Sequence, residues 1–193
     1  MSTLNQQPRT ALATGATSGL GKDIALRLAR DGMQVIIVGR DAARGAAVVD
    51  QIAVAGGEAR FIAAELNDPA DIKHLAEEAG DIDVLVNNAG LSVWAPTEAM
   101  NVADFDSIFA SNVRAPFLLV GAFAPAMAER GASSIIKISS SARRHDMGET
   151  SEPEPGDSPE DEVFWQRPDP PSMDDLCGRC GWRGKVYLRA ECA

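Results

Sequence analysis

The stretch Thr10-Ala11-Leu12-Ala13-Thr14-Gly15-Ala16-Thr17-Ser18-Gly19-Leu20-Gly21 decides the fold. Thr10–Thr14 reads as a short buried strand that runs directly into a glycine turn. Leu20, Ile24 and Leu28 then repeat at helical spacing with Ala25 and Ala29 alongside, and Gly32 follows where a left-handed cap would stop the helix. A strand, a glycine-rich turn and a helix in this order form a place for nucleotide phosphates. Glycines let the backbone turn tightly and approach a pyrophosphate, and the uncapped amides of a helix over Leu20–Asp31 attract negative charge. Gly15, Thr17, Ser18, Gly19, Leu20 and Gly21 are therefore candidate ligand residues. The same glycines also suit a plain strand-to-helix connection.

Working outward, short strand-like runs alternate with helical stretches as far as Ser141, the pattern of repeated βαβ units. The strands are expected at Thr10–Thr14, Gln34–Val38, Ala59–Ala63, Asp83–Val86 and Ser134–Ile138. Gly56, Gly80 and Gly131 repeat the helix-ending role of Gly32. Asp68-Pro69-Ala70-Asp71 reads as an N-cap, a proline at the first helical position and an acid favoured by the helix dipole, so a helix is expected over Asp71–Ala79. A longer helical region spans about 102–130, with Phe105, Ile108 and Phe109 on one face and Pro116 placed to kink or divide it.

The 193 residues suit one domain, and 45% hydrophobic with 24% charged residues is ordinary globular usage. A net charge of −10, an isoelectric point near 4.6 and no basic stripe argue against nucleic acid as a partner. The longest apolar run, Ala115 to Ala128, is 14 residues and is interrupted by prolines and a glycine, so no transmembrane helix and no membrane partner are expected. The polar N-terminus, residues 1–9, is expected to be flexible and carries no secretory signal, which makes a cytoplasmic location the expectation.

Composition changes abruptly near residue 145. Residues 146–193 hold 12 acidic against 5 basic side chains, 6 of the 11 prolines, all three cysteines and the only tyrosine. An acidic, proline-rich segment of this kind is expected to be disordered. Cys177 and Cys180 have the spacing of half a zinc site, but a second pair of ligands is missing, so reduced thiols are preferred for them and for Cys192, and no metal is assigned. The domain organisation expected is thus a flexible 1–9, a dinucleotide-binding domain over 10–145 and a divergent tail over 146–193. An altered reading frame, an alternative exon or a C-terminal fusion would each produce such a seam.

The glycine spacing, together with Asn87-Asn88-Ala89-Gly90 after the fourth strand, resembles the short-chain dehydrogenase/reductase family. Asp83-Val84-Leu85-Val86, Ser111-Asn112-Val113 and Ile138-Ser139-Ser140 agree with it, and the resemblance runs from about Thr10 to Ser141. It implies a Rossmann-like α/β fold, a doubly wound parallel sheet. Here that sheet is expected to be incomplete after the fifth strand, whose edge is left unpaired. The resemblance further implies that Gly15, Ser18 and Leu20 line the cofactor phosphates and that Asn88, Ala89 and Gly90 flank the adenosine half. Glu65 and Leu66 follow the third strand, Glu65 at a place where relatives carry an aspartate near the adenine.

Cofactor choice rests on the end of the second strand, Gly39-Arg40. An acid there would accept from a ribose 2′-hydroxyl; Arg40 instead matches a 2′-phosphate, which points to NADP with NAD open. The family reaction moves a hydride between nicotinamide and a carbonyl or alcohol carbon of a small molecule. Ser140 matches the serine that polarises the substrate oxygen, and Asn112 the asparagine that supports the catalytic lysine through water. The tyrosine of the family's Tyr-x-x-x-Lys pair is expected near 149–154, where the chain reads Glu-Thr-Ser-Glu-Pro-Glu. An NADP(H)-dependent oxidoreductase with an incomplete active site, a catalytically silent nucleotide-binding or interaction protein, and a truncated or frameshifted product are the readings that follow. A homo-oligomer would lack part of the family's usual interface.

Overall fold

The structure is a computed structural model that describes residues 8–93, 95–139 and 185–187. Trp94, Ser140 and the three cysteines lie outside the described residues. The strands are β1 (Thr10–Thr14), β2 (Gln34–Gly39), β3 (Glu58–Ala63), β4 (Val84–Asn87), β5 (Ser134–Lys137) and β6 (Lys185–Tyr187). The helices are α1 (Gly19–Arg30), α2 (Ala42–Val54), α3 (Pro69–Ala79), α4 (Val102–Phe109) and α5 (Ala115–Arg130).

Every strand pairing is parallel, and the sheet order is β3-β2-β1-β4-β5-β6. Strand order reverses at β1: the chain moves outward through β2 and β3, then returns across β1 to β4. Right-handed crossovers therefore place α1 and α2 on one face and α3 and α5 on the other. Side chains alternate across the strands, so Ala11, Ala13, Val35, Ile37, Val84 and Val86 form one core with Ala25 and Ala29 of α1 and Val48 and Ile52 of α2. On the opposite face α3 packs against α5, whose Ala115, Leu119, Phe123 and Met127 recur at every fourth residue and are buried.

The cap chemistry read from the sequence is present. Asp68 accepts from the Ala70 N–H at 2.8 Å with Pro69 at the first helical position, and Gly32, Gly56, Gly80 and Gly131 all have positive φ. Pro116 does mark a division. Its missing N–H cannot close an α-helical bond, and residues Ala110–Arg114 form a π-turn in which the Ala115 N–H reaches the Ala110 carbonyl.

One expectation is corrected. The edge of β5 is occupied: β6 pairs with it in the register Ser134↔Lys185, Ile135↔Val186 and Ile136↔Tyr187, so the sheet continues past the fifth strand. Val186 and Tyr187 are residue types favoured in strands, and three residues suffice to pair with the edge of β5. That is too short a run to stand out by alternation. The helical region expected over about 102–130 is present as α4, the π-turn and α5, and its 29 residues, Val102–Arg130, are long and apolar enough by composition to cross a membrane. In this fold its α5 half covers the sheet.

Leu119 is 1% exposed, whereas Phe117 on the same helix is 74% exposed. Leu119→Ala is expected to lower the unfolding free energy by about 2–5 kcal/mol and Phe117→Ala by less than about 0.5 kcal/mol, read from urea titrations of the two variants.

Candidate functional site

β1 and β4 lie side by side, yet the chain leaves their carboxyl ends in opposite directions, which opens a crevice there. Thr14 ties its walls together. The buried Thr14 hydroxyl donates to the Val86 carbonyl at 3.3 Å and accepts from the N–H groups of Asn88 at 3.1 Å and Ala89 at 3.0 Å. In return Asn88 Nδ2 donates to the carbonyls of Thr14 at 3.0 Å and Gly15 at 3.4 Å. The two quoted motifs are thus one hydrogen-bonded unit.

The glycines make that approach possible. A Cβ on Gly15, whose φ is +63°, would stand 2.9 Å from Ala89 Cα, and one on Gly21 would collide with the Gly15 carbonyl and Asn88 Nδ2. Gly19 is different: its φ is +51° and nothing lies within 4 Å of where its Cβ would be. Ser18 is the N-cap residue of α1 but its side chain makes no capping bond, and the first turn contains no acid. The N-terminus of α1 therefore keeps free backbone donors and a positive dipole end beside open space. A bare glycine and an uncapped helix start fit a phosphate, which needs both room and donors.

The crevice continues into a cavity of about 350 Å³, within the range of small-ligand sites. Gly15, Thr17 and Ser18 line it from the turn, Arg40 from the end of β2, Glu65 and Leu66 from the end of β3, and Asn88, Ala89 and Gly90 from the loop after β4. All the expected cofactor residues line this cavity except Gly19, Leu20 and Gly21, which form the first turn of α1 next to the lining residue Ser18.

The wall also carries residues that sequence reasoning missed: Arg44, Asn67 and Ser111. Arg44 sits in the first turn of α2. Its Nε donates to Asp41 at 2.8 Å, and its backbone N–H donates to the same carboxylate at 3.0 Å. Those bonds hold the Asp41 carboxyl below its usual pKa. An arginine three residues after an aspartate N-cap was the available signal. Arg40 Nη1 lies 3.5 Å from Glu65 Oε2, so the second cation on the wall also has a carboxylate beside it.

Asn112 stands in the π-turn and uses both ends of its amide on one backbone unit. Its Nδ2 donates to the Leu91 carbonyl and its Oδ1 accepts from the Leu91 N–H, each at 2.8 Å. It fixes the loop that follows Gly90. Ser140 falls outside the described residues, next to Ser139. On the strand that leads there, Lys137 is in register with Asn87, and burial pushes its pKa down. The Asn87 Oδ1 is buried without a hydrogen-bond partner among the described residues. A second hollow, about 830 Å³, lies along α4 and α5 beside Phe109, Val113 and Phe117, away from the glycine turn.

Residues 9–151 match the short chain dehydrogenase family. An uncharacterized oxidoreductase of Thermotoga maritima is 37% identical over 141 residues, which are 72% of this chain and 56% of that protein. D-threitol dehydrogenase of Mycolicibacterium smegmatis is 35% identical over 138 residues, 69% of this chain and 53% of that one. Among solved structures, a metagenomic short-chain oxidoreductase in complex with NADP superposes with a TM-score of 0.66 at 40% identity, over 68% of this chain and 62% of that one. A 3-oxoacyl (acyl-carrier-protein) reductase from Agrobacterium tumefaciens with NADP bound gives 0.66 at 32% identity, over 68% of this chain and 52% of that one. The chain spans about half the length of the curated relatives it matches. With the glycine turn, the Asn-Asn-Ala-Gly loop and the sheet order all in agreement, the chain belongs to the short chain dehydrogenase family.

Proposed function

We propose that this chain binds NADP(H) in the crevice between β1 and β4 and that its chemistry is the exchange of a hydride with a carbonyl or alcohol carbon of a small molecule. The observation that carries the reading is the uncapped start of α1 with the open Gly19, next to a cavity lined by Ser18 and Arg40. The N–H groups of Gly19, Leu20 and Gly21, with Ser18, hold the pyrophosphate, while Gly15 and Thr17 shape the turn. Arg40 takes the 2′-phosphate; Leu66, Asn88, Ala89 and Gly90 enclose the adenosine half, with Glu65 at its border. NADP-bound neighbours of the same family support that choice of cofactor.

The bound nicotinamide supplies the hydride. Of the chain's own residues, Ser140 is assigned to polarise the substrate oxygen and Asn112 to hold the loop after Gly90 in place for it. Proton delivery is where the chain departs from its family. Its one tyrosine, Tyr187, lies in β6 and is followed by Leu-Arg-Ala-Glu, so no Tyr-x-x-x-Lys pair is present. A missing general acid typically lowers a rate by about 10²–10⁴-fold. That absence favours a second reading, a nucleotide-binding protein without turnover.

Titration of NADPH fluorescence with the protein is expected to saturate, and a flat titration by folded protein would overturn both readings. Gly15→Val, which drives a side chain into Ala89 at positive φ, is expected to abolish that binding. Arg40→Ala is expected to weaken NADPH by about tenfold or more while leaving NADH nearly unchanged, as loss of a charge-assisted phosphate contact should. Against a panel of ketones and aldehydes, Ser140→Ala is expected to remove whatever turnover the parent shows and to keep NADPH affinity; turnover that survives the change excludes the assigned role.

A further inference from the structure

Lys137 is the last residue of β5, and no step described above uses it. Its register partner on β4 is Asn87. Val84 and Val86 of β4 belong to the core shared with α1 and α2, and Ile136 and Ile138 pack against that core. Alternation therefore turns Asn87 and Lys137 together to the opposite face, side by side on adjacent strands. The Ile138 N–H donates to the Asn87 carbonyl at 2.9 Å, which pins the two backbones at this point. Asn87 is 2% exposed, and its Oδ1 has no hydrogen-bond partner among the described residues, an arrangement that costs free energy until a donor meets it. Lys137 is half-buried, and among the described residues no carboxylate pairs with it. Burial holds its pKa below the usual lysine value, which enriches the neutral amine.

We propose that Lys137 is a carbonyl-reactive amine that condenses with small aldehydes, with Asn87 as the residue that orients it. The Asn87 oxygen accepts one N–H of the amine, which leaves the nitrogen lone pair directed away from the carboxamide and ready to attack. Nζ bonds to the carbonyl carbon, both amine protons leave with the carbonyl oxygen as water, and an imine remains. The step consumes no oxidant, reductant or second substrate. A desolvated lysine suits this chemistry because its neutral, nucleophilic form is accessible near neutral pH. The chain has three other lysines, and none shares the setting. The side chain of Lys73 is 81% exposed and stands 3.8 Å from Glu77, Lys185 is in register with Ser134 at the opposite end of β5, and Lys22 lies in α1. The site goes beyond the NADP(H) reading and needs no bound nucleotide.

The test is incubation of the folded parent chain with limiting propanal and cyanoborohydride, which reduces an imine to a stable secondary amine. Proteolysis and mass spectrometry then compare the peptides that carry Lys22, Lys73, Lys137 and Lys185. Lys137 is expected to gain its propyl group about threefold or more faster than Lys73, as an activated amine should against an exposed, ion-paired one. In urea-unfolded chain that preference is expected to vanish, because the register with Asn87 is lost. Asn87→Asp sets a carboxylate beside Lys137 and favours its ammonium form, so labelling of Lys137 is expected to fall to the rate of Lys73 or below, with thermal melts to verify folding. The comparison of folded with unfolded parent decides the matter if that variant does not fold. Labelling of Lys137 no faster than that of Lys73 in the folded parent, or a preference that survives unfolding, overturns the proposal. A folded Asn87→Asp chain that labels like the parent overturns the role given to Asn87.

Discussion

A single hydroxyl carries the geometry of the crevice. Thr14 is 1% exposed, and its Oγ1 makes three backbone hydrogen bonds, one to β4 and two to the loop beyond it. Buried hydroxyls are hydrogen-bonded, and here the acceptor side of the hydroxyl is filled by the Asn-Asn-Ala-Gly loop as it folds back over the end of β1. The glycine turn then has Asn88 as its neighbour, and Gly15 and Gly21 have no room for a side chain. The glycine turn and the Asn-Asn-Ala-Gly loop hold their spacing through this contact.

Much of this was readable from residues in order. The first five strands fall where short apolar runs predict them, because a sheet buried on both faces needs little else. Asp68-Pro69 and the glycines after the helices are local signals, and local signals survive folding intact. Contacts that join distant segments left no such trace. Asn112 resembles a family asparagine by its neighbours, but nothing in Ser-Asn-Val says that its amide will clasp Leu91, a residue 21 positions earlier. Arg40 and Glu65 are 25 positions apart, and their meeting depends on the β2–β3 register. β6 is the sharpest case: three residues are enough to pair with β5, and too few to show a period.

The electrostatics of the site follow the same division. Net charge is strongly negative for the whole chain, yet the cavity wall presents two guanidinium groups, each beside a carboxylate. Local balance, set by which strand ends meet, governs an anionic ligand more than the sum over residues does. The positive end of α1 adds donors that no count of charged side chains records.

Gly39 limits what redesign of this wall can achieve. A Cβ at that position would come within 2.7 Å of Thr17 Cγ2, so a side chain at the last residue of β2 requires the Thr17 side chain to give way. The end of β2 and the glycine turn are thereby coupled through a single side chain, Thr17. The shape of this wall is thus a property of strand adjacency, with Gly39 beside Thr17 and Arg40 beside Glu65.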